Sequence, residues 1–214
     1  MKYRLIFVLG IACGISCVFS NAQESPPPSP AEKQNSFSPD KKWEYNCGEY
    51  ASGYCYPEIL KAGTTERAVD LDQELGVTGS ESRDAQVLWA PDSKRFAFNY
   101  SPPHAHHTRF NAVAFYQLRG DKWVALRNPQ DYFLRRRPDY LPKDFDPRRC
   151  VREWDELKLR EWTEANTAIL YAPCHERSRQ LNVAFLFTLK FDDAGNWKIV
   201  KAHQMSKKEL EEEG

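Results

Sequence analysis

The sequence predicts an all-β protein: consecutive antiparallel four-stranded meanders, propeller-blade-like, with about three units and therefore no full closed propeller. Three observations predict this. From residue 37 onward, runs rich in Val, Leu, Phe and Tyr alternate with turn clusters, the pattern of strands joined by tight connections. Tryptophans recur at matched places, Trp89 and Trp123 in one stretch and Trp162 and Trp197 in a later one. Helix signals are scarce, the clearest being Ser206 with Glu209 three residues on, a capping box that predicts a short helix or charged tail over 207–214.

The amino terminus comes first. Met1-Lys2-Tyr3-Arg4 is a short basic start, and Leu5 to Phe19 carries no charge. That run is short of the ~20 apolar residues that span a bilayer and suits the core of a signal peptide. Ser20-Asn21-Ala22 puts small residues three before and directly before a cut between Ala22 and Gln23. Residues 1–22 are thus expected to be a cleaved signal peptide that delivers the chain to the periplasm or beyond. An uncut anchor and lipidation of Cys17 are the alternatives. Residues 23–36 hold four prolines and no apolar periodicity, so a disordered Pro-rich linker is expected.

The segment 37–206 is expected to be one β-rich domain with an irregular insertion at 128–156. Strands are predicted at 85–90 and 95–101 around Pro91-Asp92-Ser93-Lys94, and at 111–118 and 123–126 around Arg119-Gly120-Asp121-Lys122. A second set is predicted at 157–162, 168–172, 183–191 and 197–202. Laying Trp89 on Trp162 places Phe96 on Ile169 and Phe98 on Tyr171. A weaker third copy starts at Phe37 and continues through Glu58-Ile59-Leu60 and Ala68-Val69-Asp70-Leu71. The regular placing of the tryptophans favours packing between sheets over ligand stacking. Three units do not close a ring, so residues 128–156 or a second chain are expected to cover a sheet face.

Phe37-Ser38-Pro39-Asp40-Lys41-Lys42 and Trp89-Ala90-Pro91-Asp92-Ser93-Lys94 resemble the aromatic-Ser-Pro-Asp-Gly-Lys turn of TolB-type β-propeller repeats. In those repeats the turn joins the first two strands of a blade. Here Lys41 and Ser93 replace the glycine. The resemblance extends to small secreted bacterial proteins of unknown function. It implies blade-like local structure and brings no activity with it.

Four cysteines follow the signal: Cys47, Cys55, Cys150 and Cys174. An even number in an oxidising compartment suggests disulfides. Cys47 and Cys55 flank a turn-rich stretch that could fold them opposite each other, so Cys47–Cys55 and Cys150–Cys174 are the favoured pairings. Buried free thiols are the alternative.

The histidines are the sharpest chemical feature. His104, His106 and His107 follow Pro102-Pro103, and His175-Glu176 follows Cys174. The alignment puts both groups in the loop between the second and third strands of their units, here called the b–c loop. Equivalent loops of a meander emerge on one rim, where imidazole and carboxylate could hold zinc, or copper or nickel. A solvated polar loop is the bland alternative. The arginines Arg135, Arg136, Arg137, Arg148 and Arg149 are interspersed with four aspartates and read as solvated surface.

Charge narrows the partners. The whole chain is balanced at 30 basic and 30 acidic residues, and losing Lys2 and Arg4 leaves it slightly acidic. Nucleic acid is not an expected partner. No apolar run after the signal is long enough to span a membrane. No Gly-x-Ser-x-Gly elbow and no phosphate-cradling glycine loop is present. The expected function is an exported, non-catalytic binding or interaction module whose partner is a protein or cell-envelope component, with no cofactor. The alternative is a metal-dependent hydrolase with a His-rich rim site, zinc being the first candidate metal.

Overall fold

A computed structural model describes residues 36–49, 55–76, 85–101, 112–129, 157–176 and 181–213. The signal segment with Ala22 and Gln23, the linker 23–36 apart from Ser36, the histidines at 104, 106 and 107, Cys150 and nearly all of 128–156 lie outside them. Residues 34–214 form one compact unit. Among the described residues no helix is long and apolar enough to cross a membrane.

The described chain is mostly strand, in three antiparallel sheets that do not close into a barrel. The first sheet is β1 (Trp43–Glu49), β2 (Cys55–Lys61) and β3 (Arg67–Asp70), in that order. A five-residue helix α1 (Leu71–Leu75) follows. Asp70 caps its start by accepting from the Gln73 amide, and Gly76 ends it at φ 65°. The second sheet is β4 (Gln86–Trp89), β5 (Arg95–Tyr100), β6 (Ala112–Arg119) and β7 (Lys122–Ala125). The third is β8 (Lys158–Glu164), β9 (Thr167–Glu176), β10 (Leu181–Phe191) and β11 (Trp197–Gln204). The helix α2 (Lys207–Glu213) ends the described chain. Its start is the capping box read from the sequence: the Ser206 amide donates to Glu209 Oε2 at 2.6 Å, and the Glu209 amide donates to Ser206 Oγ at 3.3 Å.

Both four-stranded units are therefore meanders, with neighbours in sequence hydrogen-bonded in order. The first unit has three strands plus a trace of a fourth: Phe37 makes a single bridge to Glu44, and the Tyr45 amide donates to Ser36 O. That bridge spans the same seven residues as the Trp89–Phe96 pair at the start of the second sheet.

The two turns that resemble each other in sequence also match in conformation. Ser38 N–H donates to Trp43 O and Ala90 N–H to Arg95 O, both at 2.9 Å. Lys41 and Ser93 sit at φ 58° and 59°, the left-handed region that glycine occupies most cheaply.

Strand alternation gives every sheet two faces. Between the first and second sheets, Ile59 and Val69 meet Phe96, Phe98 and Trp123. Between the second and third, Ala97, Val113 and Phe115 meet Leu159, Leu170 and Phe187. Trp89 lies against Phe96 and Trp123, on the face toward the first sheet. Trp162 lies against Phe115 and donates its Nε1–H to Leu88 O at 3.0 Å, on the face toward the second sheet. Each tryptophan thus looks back at the preceding unit, as the repeat requires.

The rest of that alignment slips by one residue. Opposite Trp162 stands Ala168, whereas opposite Trp89 stands Phe96. Register shifts at 159–161 and 162–164 absorb the difference. Phe96 and Phe98 therefore correspond to Ala168 and Leu170, buried on the backward-looking face. Ile169 and Tyr171, their expected partners, lie on the opposite face, because a one-residue slip turns every side chain over.

The stack ends differently on its two sides. The outward face of the first sheet is polar: Asn46 Nδ2 donates to Glu58 Oε1, and Arg67 bonds both Glu58 and Asp70. The outward face of the third carries Tyr171, Ala184 and Leu186, on which Met205 and Leu210 of the C-terminal segment pack. The Met205 amide donates to Ala184 O at 2.9 Å.

Candidate functional site

The two ends of the stack are built differently, and hydrogen bonds between sheets show which connections share an end. Arg95, the first residue of β5, donates to Ala165 O in the β8–β9 turn. Asn99, four residues on, bonds Leu159 near the start of β8. β5 and β9 therefore run the same way. The Asp40 amide donates to Ser93 Oγ at 2.9 Å, and the Tyr45 ring lies tilted against Phe98 at 6.1 Å, so β1 runs with them. The b–c connections 50–54, 102–111 and 177–180 consequently all leave from the end to which β1, β5 and β9 point.

The opposite end is a lock of tight turns. Arg95 Nη2, Gln117 Nε2 and Arg119 Nη2 donate to the carbonyls of Asp192, Asp193 and Ala194, three successive residues of the β10–β11 turn. Arg95 is only 6% exposed, and its guanidinium also lies over the Phe191 ring at 5.8 Å. Asp192 is held below the usual carboxylate range, first by Asn196 Nδ2 and further by backbone amides of the same turn. Gly195 closes this turn at φ 85°, and a Cβ there would come within 2.6 Å of Gln117 Oε1 and Leu126 Cδ2. The β10–β11 turn cannot leave the second sheet without breaking these three bonds.

The b–c end starts from aromatic strand termini. Phe98 and Tyr100 stack at 5.5 Å, and burial pushes the phenols of Tyr100 and Tyr45 up. Both stay neutral at any physiological pH. Cys47 on β1 is disulfide-bonded, which restrains the strand that leads into the first connection. Cys55 opens β2, opposite Glu49 and two ladder positions from the partner of Cys47. Cys174, His175 and Glu176 are opposite Val183, Asn182 and Leu181. They belong to β9, not to a loop as the alignment implied. β9 and β10 stay paired for ten residues, and the connection shrinks to 177–180.

Among the described residues no group of three or more His, Cys, Asp or Glu could hold a metal ion. The proline–histidine stretch itself, with His104, His106 and His107, lies outside them. The fifth histidine, His203, is on β11 and pairs with Glu209 at 3.0 Å.

Sequence reasoning missed the polar residues that tie the sheets together. Asn99 is 0% exposed inside a strand whose six residues are all buried. Arg95 and Gln117, direct cross-strand partners, are buried beside the third sheet. The one available signal was their place in apolar runs, where a polar residue must find a partner.

Comparison with family models, with curated proteins and with solved structures finds no match for this chain.

Proposed function

We propose that the chain is an exported, non-catalytic binding module that meets a protein or cell-envelope partner through its b–c end. The observation that carries this is the asymmetry of the stack. One end is short turns bonded to one another across sheets. From the other the three b–c connections, one of them the ten residues 102–111, leave strands packed through two apolar layers. Connections positioned by a rigid scaffold are where binding residues concentrate. The disulfide at Cys47 is in keeping with an oxidising compartment, as is the signal-like sequence of residues 1–22. The local likeness to TolB-type repeats supports the scaffold reading and adds no ligand.

The test exploits the Tyr100–Ala112 pair, which a two-residue Asn-Gly turn can bridge. A variant with 101–111 replaced by Asn-Gly should keep the unfolding midpoint within a few degrees and lose co-sedimentation with envelope membranes. A folded variant that still co-sediments contradicts the proposal.

A second reading, a metal-dependent hydrolase, is favoured by one observation. His175 lies near the end of β9, at the end of the stack from which the segment holding His104, His106 and His107 leaves β5. Zinc content of the purified chain, and of a His106→Ala/His175→Ala variant, decides it.

A further inference from the structure

We propose that the turn-side half of the third sheet's outward face docks an acidic segment of a partner polypeptide. The face is divided. Met205 and Leu210 cover the half around Ala184, and among the described residues nothing packs on the half nearer the β10–β11 turn, where Lys190, Lys198, Val200 and Lys201 are exposed. On the open half Lys190 and Lys198 are direct cross-strand partners, and Lys201 stands opposite Thr188, the next outward residue of β10. All three lysines are exposed, and among the described residues none of them makes an ion pair. The carboxylate nearest in sequence, Asp192, accepts from the amide and side chain of Asn196 instead. Glu161 and Glu164 are on β8, two strands from Lys190.

Like charges directly opposite on a ladder are destabilising. Protection of the β11 edge explains lysines on β11 and the bulge at Val200, since charge and bulges discourage edge pairing. It does not explain Lys190, which is on the central strand β10. Val200, the unpaired bulge residue between Ile199 and Lys201, is 49% exposed and offers an apolar contact next to the cations. Carboxylates on the three lysines and one apolar side chain on Val200 satisfy the whole patch. The other half of the face bears α2, whose acidic residues outnumber Lys207 and Lys208. A flat anionic membrane laid on the face would meet those carboxylates, whereas a narrow segment avoids them.

The probe is a fluorescent dodecapeptide of alternating Glu and Leu, read by anisotropy on the full exported chain. Binding should weaken with added salt. Lys190→Gln and Lys198→Gln should each weaken it about two- to fivefold. Both should unfold no more easily than the parent, because each removes a like-charge pair. These variants leave the b–c end untouched, so their result is independent of the module's main partner. The proposal is overturned if the peptide does not bind, or if it binds both variants as it binds the parent. Saturable binding to phosphatidylglycerol vesicles without peptide binding overturns it as well.

Discussion

Asn99 grips Leu159 by both backbone groups: its Nδ2 donates to Leu159 O at 2.8 Å, and its Oδ1 accepts from Leu159 N at 2.7 Å. One buried side chain thus completes the ladder edge of β8 from the neighbouring sheet. It also fixes the level at which the second and third sheets meet.

Asn99→Ala should therefore cost about 2–4 kcal/mol, because it strands a buried N–H and a buried C=O that each carry a desolvation penalty of about 1–3 kcal/mol. Denaturant unfolding measures it. A loss below about 1 kcal/mol would mean that water replaces the amide at no cost and that the sheets do not depend on this bond.

The two left-handed turn positions should respond differently to glycine. Lys41 is exposed, so Lys41→Gly relieves the backbone at φ 58° and should stabilise by about 0.5–1 kcal/mol net of the added freedom of the unfolded chain. Ser93 is buried and its hydroxyl accepts from the Asp40 amide, so Ser93→Gly should gain nothing or lose. Equal gains at both positions would show that this bond between turns is idle.

The matched tryptophans should differ in the same way. Trp162 Nε1–H has an acceptor in Leu88 O, while the buried Trp89 Nε1–H has none among the described residues. Both lose ring volume on changing to Phe. Trp162→Phe should nevertheless cost about 1 kcal/mol more than Trp89→Phe, the worth of one hydrogen bond. Thermal unfolding of the two variants makes the comparison.

Acid should loosen the C-terminal helix before the sheets. The Glu209 carboxyl is pulled down to about 2, first by the Ser206 amide, then by the Ser206 hydroxyl and His203. A carboxylate lowered on folding stabilises fully above its unfolded value, about 4.3. The contribution declines as pH falls from there toward 2. Helix α2 should detach from Tyr171 and Leu186 over this window, seen as faster amide exchange at 207–213 with β10 still protected. Glu209→Gln should abolish that pH dependence.

The strand-and-turn order was legible because turn chemistry is local. Pro91-Asp92 and Gly195 mark their own bends, and the capping box at Ser206 marks its own helix. Strand length was not legible. β9 runs on to Glu176 because β10 is there to pair with it, and nothing in Cys174-His175-Glu176 announces that. The slipped alignment has the same origin: a bulge in β8 is decided by the partner strand. Helix α1 was missed because five residues carry no periodicity, although Asp70 and Gly76 were visible caps. The bonds between sheets were the least legible, since Asn99, Arg95 and Gln117 meet backbone groups 60 to 97 residues away. The connection that holds His104, His106 and His107 leaves β5 after Tyr100, at the b–c end.

The most direct test of the proposed binding end places a photo-crosslinking amino acid at His106, in the connection 102–111, and at Asp121, in the β6–β7 turn, in cells that produce the full chain. A discrete crosslinked envelope species is expected from position 106 and none from position 121. Crosslinking from 121 alone, or equally from both, would contradict it.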